Sequence, residues 1–157
     1  MTIILIALGL IPLLPGGIMY LLLVTNDNQV SGTIHIIITL LTLILWGVSA
    51  YLAKRRTNST ARTILLLHVI PLINLLLLGI QEFVLNHYWT NFLGTLTQIY
   101  IFPFARICGS LNGRLAALLH DPCGGTHWFG ATVFATGLWA FLMMLAAAFI
   151  GCKINKK

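Results

Sequence analysis

Four long apolar runs limit what this chain can fold into more than any other feature of its sequence. They cover residues 2–24, 32–53, 63–85 and 128–152. A helix needs about 20 apolar residues to cross about 30 Å of hydrocarbon, and each run is long enough. The composition agrees, because 59% of the residues are hydrophobic and 8% are charged, whereas about a quarter of the residues in soluble domains are charged. The sequence predicts an all-α integral membrane protein, a single membrane domain over residues 1–157 with four transmembrane helices.

The basic residues predict how these helices are oriented. Seven of the nine Lys and Arg residues lie in two clusters, Lys54–Arg62 and Lys153–Lys157. Loops rich in Lys and Arg stay in the cytoplasm, so four crossings place both termini inside and leave only Arg106 and Arg114 outside. Short loops and a bundle rich in Ile and Leu suit a bacterial plasma membrane. No nucleic-acid partner is expected, because the cations flank apolar spans instead of forming a basic face.

The apolar stretch between the third and fourth runs is short for another span. The count of basic residues inside and outside, seven to two without this crossing and six to three with it, favours four spans and leaves a fifth as the alternative. Phe92–Ala105 is apolar, but a helix of that length extends only about 21 Å. Its apolar residues fall on one side of a helical wheel, and the residues that follow repeat the pattern. Amphipathic helices of this kind lie in the membrane interface. The sequence therefore predicts two short interfacial helices in the second outer loop, over residues 90–121.

Polar residues form a stripe along each of the two middle helices. On the third helix the stripe contains His68, Asn74, Gln81 and Glu82, and on the second it contains His35, Thr39, Thr42, Trp46 and Ser49. Polar side chains are costly in hydrocarbon, so we expect both stripes to face the interior of the bundle. Hydroxyls and small residues often serve only to join membrane helices.

The candidate ligand or proton site contains the stripe residues that exceed what helix packing needs: Glu82, His35, Gln81, Asn74 and His68. The predicted topology places Glu82, Gln81 and His35 near the outer end and His68 near the cytoplasmic end. We expect Glu82 and His35 to face each other and to share a proton or a hydrogen bond. Since His35 and His68 differ in depth by roughly 20 Å, they are not expected to hold one haem.

Two further candidate sites lie in the predicted outer segment. Cys108 and Cys123 are both expected on the oxidising side, where they form a candidate disulfide. His120, Cys123 and His127 form a candidate metal site, because imidazole and thiolate suit zinc or copper. Their spacing matches no specific metal motif, and no cofactor, whether metal, haem or quinone, is assigned.

The sequence contains no motif that identifies catalytic residues, such as a phosphate-binding loop or a zinc-protease motif. The leading hypothesis is a binding or accessory subunit that recognises a membrane partner or a lipophilic ligand through a polar interior open to the outside. Two alternatives stay open. One is a membrane oxidoreductase or metal-dependent enzyme that uses the outer Cys and His residues, and the other is a small proton-coupled transporter that uses Glu82, Asn74 and His68.

Overall fold

The computed structural model describes residues 2–25, 30–85, 87, 89–118 and 128–154. Every regular element within these ranges is helical. In chain order the α-helices are α1 (Thr2–Ala7), α2 (Leu13–Thr25), α3 (Gly32–Thr57), α4 (Thr60–Leu67), α5 (Val69–Gly79), α6 (Phe92–Ile101), α7 (Ala105–Leu118) and α8 (Trp128–Ile154). Shorter helical segments adjoin them: two 3-10 segments, Leu8–Leu10 and Phe102–Phe104, and one π-helical segment, Ile80–Val84.

Three of the described helical stretches are long and apolar enough to cross a membrane: Thr2–Thr25, Gly32–Thr57 and Val133–Ile154. A fourth candidate consists of Thr60–Leu67 followed by Val69–Val84, with a bend of 43° between them. The described residues therefore contain three candidate spans, or four if the bent pair crosses as one. These stretches coincide with the four apolar runs of the sequence.

The bend in the third apolar run is explained by Pro71. Proline has no backbone N–H to donate to the carbonyl of Leu67, and its ring crowds that carbonyl. The helix is interrupted at His68, between α4 and α5. A similar interruption precedes Pro12, where the 3-10 segment Leu8–Leu10 follows α1. Pro12 has no backbone N–H to donate to the carbonyl of Leu8, which explains this second break.

The basic cluster forms a shorter loop than the sequence predicts. Residues 54–56 belong to the last turn of α3. Asn58 has a left-handed conformation, with φ 54°, and its N–H donates to the carbonyl of Lys54. Ser59 then caps α4 by accepting a hydrogen bond from the N–H of Arg62. The helix continues through the basic residues because cations are favourable near the negative end of the helix dipole.

Helices α3 and α8 form the most extensive helix contact in the described part of the chain. Their closest approach is at two glycines, because a Cβ on Gly151 would overlap the carbonyl of Gly47. Small residues allow membrane helices to approach in this way. The ammonium group of Lys54 donates to the carbonyl of Cys152 at 2.7 Å. The basic ends of α3 and α8 therefore lie at the same end of the bundle.

Residues 92–118, which we call the inserted segment, comprise α6, the second 3-10 segment and α7. They pack against α2, α3, α5 and α8. A Cβ on Gly16 of α2 would overlap the carbonyl of Ile99, and the hydroxyl of Thr39 donates to the carbonyl of Pro103. Thr39 is about 10 Å along α3 from the start of that helix. The inserted segment thus packs alongside α3 and not only against the start of that helix.

One side of α6 packs against the bundle, and the interfacial position predicted within residues 90–121 stays a prediction. Gly94 and Thr97 are buried against the bundle, whereas Phe92 and Leu93 are 78% and 44% exposed. Tyr100 and Ile101 are buried as well, so the inward side of α6 combines small and hydroxyl residues with apolar ones. Small and hydroxyl-bearing residues allow close helix contacts.

Candidate functional site

The polar stripe predicted on the third span is buried. The relative exposure is 5% for His68, 8% for Asn74, 0% for Gln81 and 8% for Glu82. The opposite side of the same span is exposed at Leu72, Ile73, Leu76, Ile80, Phe83 and Val84. The stripe on α3 is buried too, except that His35 is half-buried. The burial pattern confirms that both stripes face the interior of the bundle.

Asn74 and Gln81 both bind Thr97 of the inserted segment. The Nδ2 atom of Asn74 donates to the Thr97 carbonyl at 3.4 Å, and the Nε2 atom of Gln81 donates to the Thr97 hydroxyl at 3.4 Å. The other end of the Gln81 amide accepts a hydrogen bond of 2.9 Å from the N–H of Trp89. The Thr97 hydroxyl itself donates to the carbonyl of Gly94. These two stripe residues therefore attach the inserted segment to the third span.

Glu82 contacts the last span. Its Oε2 atom accepts a hydrogen bond of 3.0 Å from the N–H of Phe134 in α8. Glu82 and its neighbour Gln81 lie in the π-helical segment Ile80–Val84. Both side chains are buried, although adjacent residues of a helix point in different directions. The wider turn of a π-helix makes it easier for both to face the interior. Single π-helical turns often occur at functional sites.

His35 lies near the start of α3, beside Arg106 of α7. The Arg106 guanidinium acts on the imidazole electrostatically, and its Nη2 atom is 3.4 Å from the point where a Cβ on Gly32 would lie. The Nδ1 atom of His35 is buried and has no hydrogen-bond partner among the described residues. The predicted contact between His35 and Glu82 stays a prediction, and a double-mutant cycle would measure it.

His68 lies at the bend of the third span and contacts Trp46 of α3. The ring centroids are 5.5 Å apart with an interplanar angle of 90°, and Phe141 of α8 contacts the imidazole at 5.4 Å. The Nδ1 atom of His68 lies 2.8 Å from the carbonyl of Ile64, which can only accept, so Nδ1 carries the proton in this contact.

The remaining polar atoms of this pair have no partner of normal hydrogen-bond geometry among the described residues. They are the Nε2 atom of His68 and the Nε1 atom of Trp46, although the backbone of Met144 also lies near the imidazole. Buried polar atoms without a partner are groups that an internal water or a ligand hydroxyl would satisfy. The sequence analysis placed both residues in stripes but missed their contact. Trp46 and His68 lie at similar distances along the chain on either side of the turn at Asn58, and this would have indicated the contact.

Of the candidate disulfide and metal residues, only Cys108 lies within the described part of the chain. Its thiol is free and fully buried, and burial raises the pKa of Cys108 to about 11. His120, Cys123 and His127 lie outside the described residues, so the disulfide and the metal site stay predictions. The described residues include no group of three His, Cys, Asp or Glu side chains that could hold a metal ion.

The sequence analysis also missed an apolar groove on the outer surface of α3 and α8. Its volume is about 510 Å³. It is lined by Leu40, Leu43, Ile44, Gly47, Val48, Tyr51, Ala147, Ile150, Gly151 and Ile154. The small residues that bring the two helices together leave a hollow between the larger side chains on either side. We call this hollow the lateral groove.

Three observations thus bear on function: a buried polar stripe that holds the inserted segment, an incompletely bonded His68 and Trp46 pair, and the lateral groove. Comparisons of the chain with protein-family models, with curated proteins and with solved structures give no match. The geometry of the described residues therefore carries the functional argument.

Proposed function

We propose that this chain is a four-helix bundle of a bacterial plasma membrane that serves as a binding or accessory subunit for a lipophilic ligand or a membrane partner. Both termini are cytoplasmic in this proposal, since the basic residues cluster at one end of α3 and α8 and such clusters stay in the cytoplasm. The inserted segment then enters the bundle from the outer side, deeper than the interface.

The observation that carries the proposal is the attachment of Asn74 and Gln81 to Thr97. Buried amides in a membrane are costly unless they are bonded, and here both amides bind one residue of the inserted segment. The polar stripe thereby binds one part of this chain to another. This arrangement supports a stable scaffold that presents surfaces to other molecules.

The lateral groove is the surface best suited to a lipophilic ligand. Its lining is made of aliphatic side chains and glycines, with Tyr51 at one end. Ligand sites are typically concave and mostly apolar. The groove faces the lipid-exposed side of the bundle, because Leu40, Ile44 and Ile150 are each at least half exposed, so a ligand or a partner helix would reach it from within the bilayer.

The described contacts favour this role over the two alternatives. A redox role for Cys108 needs a reactive thiolate, but burial raises the pKa of this thiol and conceals it. Transport along Glu82, Asn74 and His68 needs groups that exchange partners with water. Asn74 is bonded to the inserted segment and Glu82 to the backbone of α8.

The proposal is tested by filling the lateral groove. Ile44→Trp places a bulky ring in the groove, and Ile37→Trp places the same ring on an exposed part of α3 that does not line it. Each variant is purified in native lipid particles, and the lipophilic molecules that remain bound after detergent exchange are measured by mass spectrometry. We expect Ile44→Trp to lose at least half of the bound material and Ile37→Trp to keep it. Equal retention in both variants would contradict the proposed binding surface.

A further inference from the structure

The dimensions of the lateral groove match one leaflet of a membrane. Along α3 the groove runs from Leu40 to Tyr51, a distance of about 16 Å at the rise of an α-helix. The hydrocarbon core of a bilayer is about 30 Å thick, so one leaflet accounts for about half of this. The end at Tyr51 is the end at which the basic residues lie. The groove therefore extends from the basic surface to about the middle of the hydrocarbon.

A cation is fixed at the basic end of the groove. The Nη2 atom of Arg55 donates to the hydroxyl of Tyr51 at 2.7 Å, and the guanidinium carbon lies 4.8 Å from the centroid of the same ring. Tyr51 lines the groove, whereas Arg55 is exposed. The remaining N–H donors of the guanidinium are available to a group that enters from the membrane surface.

A second cation lies on the other side of the same end. The ammonium of Lys153 is 4.8 Å from the ring centroid of Phe149. Lys153 lines a neighbouring cleft together with Ile150 and Ile154, and these two isoleucines also line the lateral groove. Ile150 and Ile154 thus border both the groove and the cleft, and one cation from α3 and one from α8 flank this end.

We infer that the lateral groove binds an anionic phospholipid of the cytoplasmic leaflet, with an acyl chain along α3 and α8 and the phosphate between Arg55 and Lys153. This inference rests on the proposed function and names its ligand class. An apolar chain alone would fill the groove but would leave both cations without a counter-charge among the described residues. A partner helix or a second copy of this chain would also cover the groove, but only an anionic headgroup uses the groove and the cations together.

The charge of the headgroup provides the first test. The full-length protein is reconstituted in nanodiscs that contain equal amounts of phosphatidylglycerol and phosphatidylcholine, and the lipids that it retains are identified by native mass spectrometry. A charge-assisted contact between a cation and a phosphate strengthens binding by about tenfold. We therefore expect R55Q/K153Q to lower the preference for phosphatidylglycerol by at least about tenfold.

The control is R56Q/R62Q, which removes the same charge from the same end of the bundle, at positions that do not line the lateral groove. It should keep the preference. R55K retains the charge and should keep most of the preference as well, which separates a loss of binding from a loss of folding. An equal decrease in both double variants would overturn the inference, because it would show a general effect of surface charge.

Failure of the inference and failure of the proposed function give different results. If the wild type retains both lipids equally and Ile44→Trp releases both, the groove binds lipophilic molecules without regard to charge, and the inference is wrong while the proposed function stands. If Ile44→Trp releases neither lipid, both are wrong. If Ile44→Trp converts a dimer into a monomer, the groove is occupied by a second copy, which also overturns the inference.

Discussion

The indole of Trp46 meets the imidazole of His68 edge to face, with ring centroids 5.5 Å apart. Trp46 belongs to the second span and His68 to the bend of the third, so the contact joins two candidate spans in the buried interior. The bend itself follows from Pro71, three residues farther along. A backbone irregularity in one span thus positions a titratable ring against an aromatic residue of its neighbour.

Replacing Trp46 by Phe is expected to change stability by no more than about 1 kcal/mol. The substitution removes a buried N–H that has no partner among the described residues, which offsets part of the packing lost with the smaller ring. Trp46→Ala should cost about 3–5 kcal/mol, because it leaves a large cavity. Unfolding in mixed micelles of increasing SDS content would measure both. A loss with Phe as large as that with Ala would mean that the N–H is bonded after all, for example to an internal water.

Thr97 is expected to be the most sensitive hydroxyl of the inserted segment. Thr97→Val keeps the shape but leaves the Nε2 atom of Gln81 without its partner, which should cost about 1–3 kcal/mol. Thr95→Val is the matched control, because among the described residues that hydroxyl bonds only the carbonyl of Asn91 one turn earlier. The same SDS titration applies. Adding Gln81→Leu should recover part of the loss, and strictly additive effects would count against the contact.

Burial along the third span could be predicted from the sequence because only one side of that helix is polar. His68, Asn74, Gln81 and Glu82 recur at helical spacing, and a membrane offers them only the protein interior. The same reasoning places Thr39 and Trp46 of α3 correctly, since both are buried. A helical-wheel prediction requires only that the helix be regular. The interruption at His68 is too small to move these residues out of the buried interior.

The packing of the inserted segment against the bundle could not be predicted in this way. A helix with one polar side has two stable positions, because that side faces either water or other helices. The small and hydroxyl residues Gly94 and Thr97 suit both positions. The outcome depends on complementary surfaces elsewhere in the chain, such as Gly16, which receives the backbone at Ile99. No local pattern reveals such complementarity.

Gly151→Ala is expected to destabilise the bundle by about 1–3 kcal/mol, because the added methyl group would overlap the Gly47 carbonyl and force α3 and α8 apart. Gly17 provides the control within α2. A Cβ at that position meets nothing within 4 Å, so Gly17→Ala should be neutral or stabilising by up to about 1 kcal/mol. Thermal unfolding in detergent would compare the two variants. If both behaved alike, the close crossing of α3 and α8 would be refuted.

Burial of Cys108 predicts a pH-dependent stability. Its pKa rises from the ordinary value of 9.0 to about 11, so between these pH values the folded chain retains a thiol proton that the unfolded chain has lost. Stability should therefore be unaffected below about pH 9 and should fall as the pH approaches 11. Cys108→Ala should reduce this slope without abolishing it, because burial also raises the pKa of Tyr100. A slope equal to that of the wild type would contradict the assignment.

The same burial predicts how Cys108 reacts with alkylating reagents. With Cys123 and Cys152 replaced by Ala, maleimide at neutral pH should modify Cys108 at least about tenfold more slowly in native micelles than after unfolding in SDS, because the reagent needs an accessible thiolate. Equal rates would show that the thiol is exposed. In the wild type, a Cys108 that stays unmodified after unfolding until a reductant is added would instead support the disulfide with Cys123. The variant without Cys123 thus tests the burial of Cys108, and the wild type tests the disulfide.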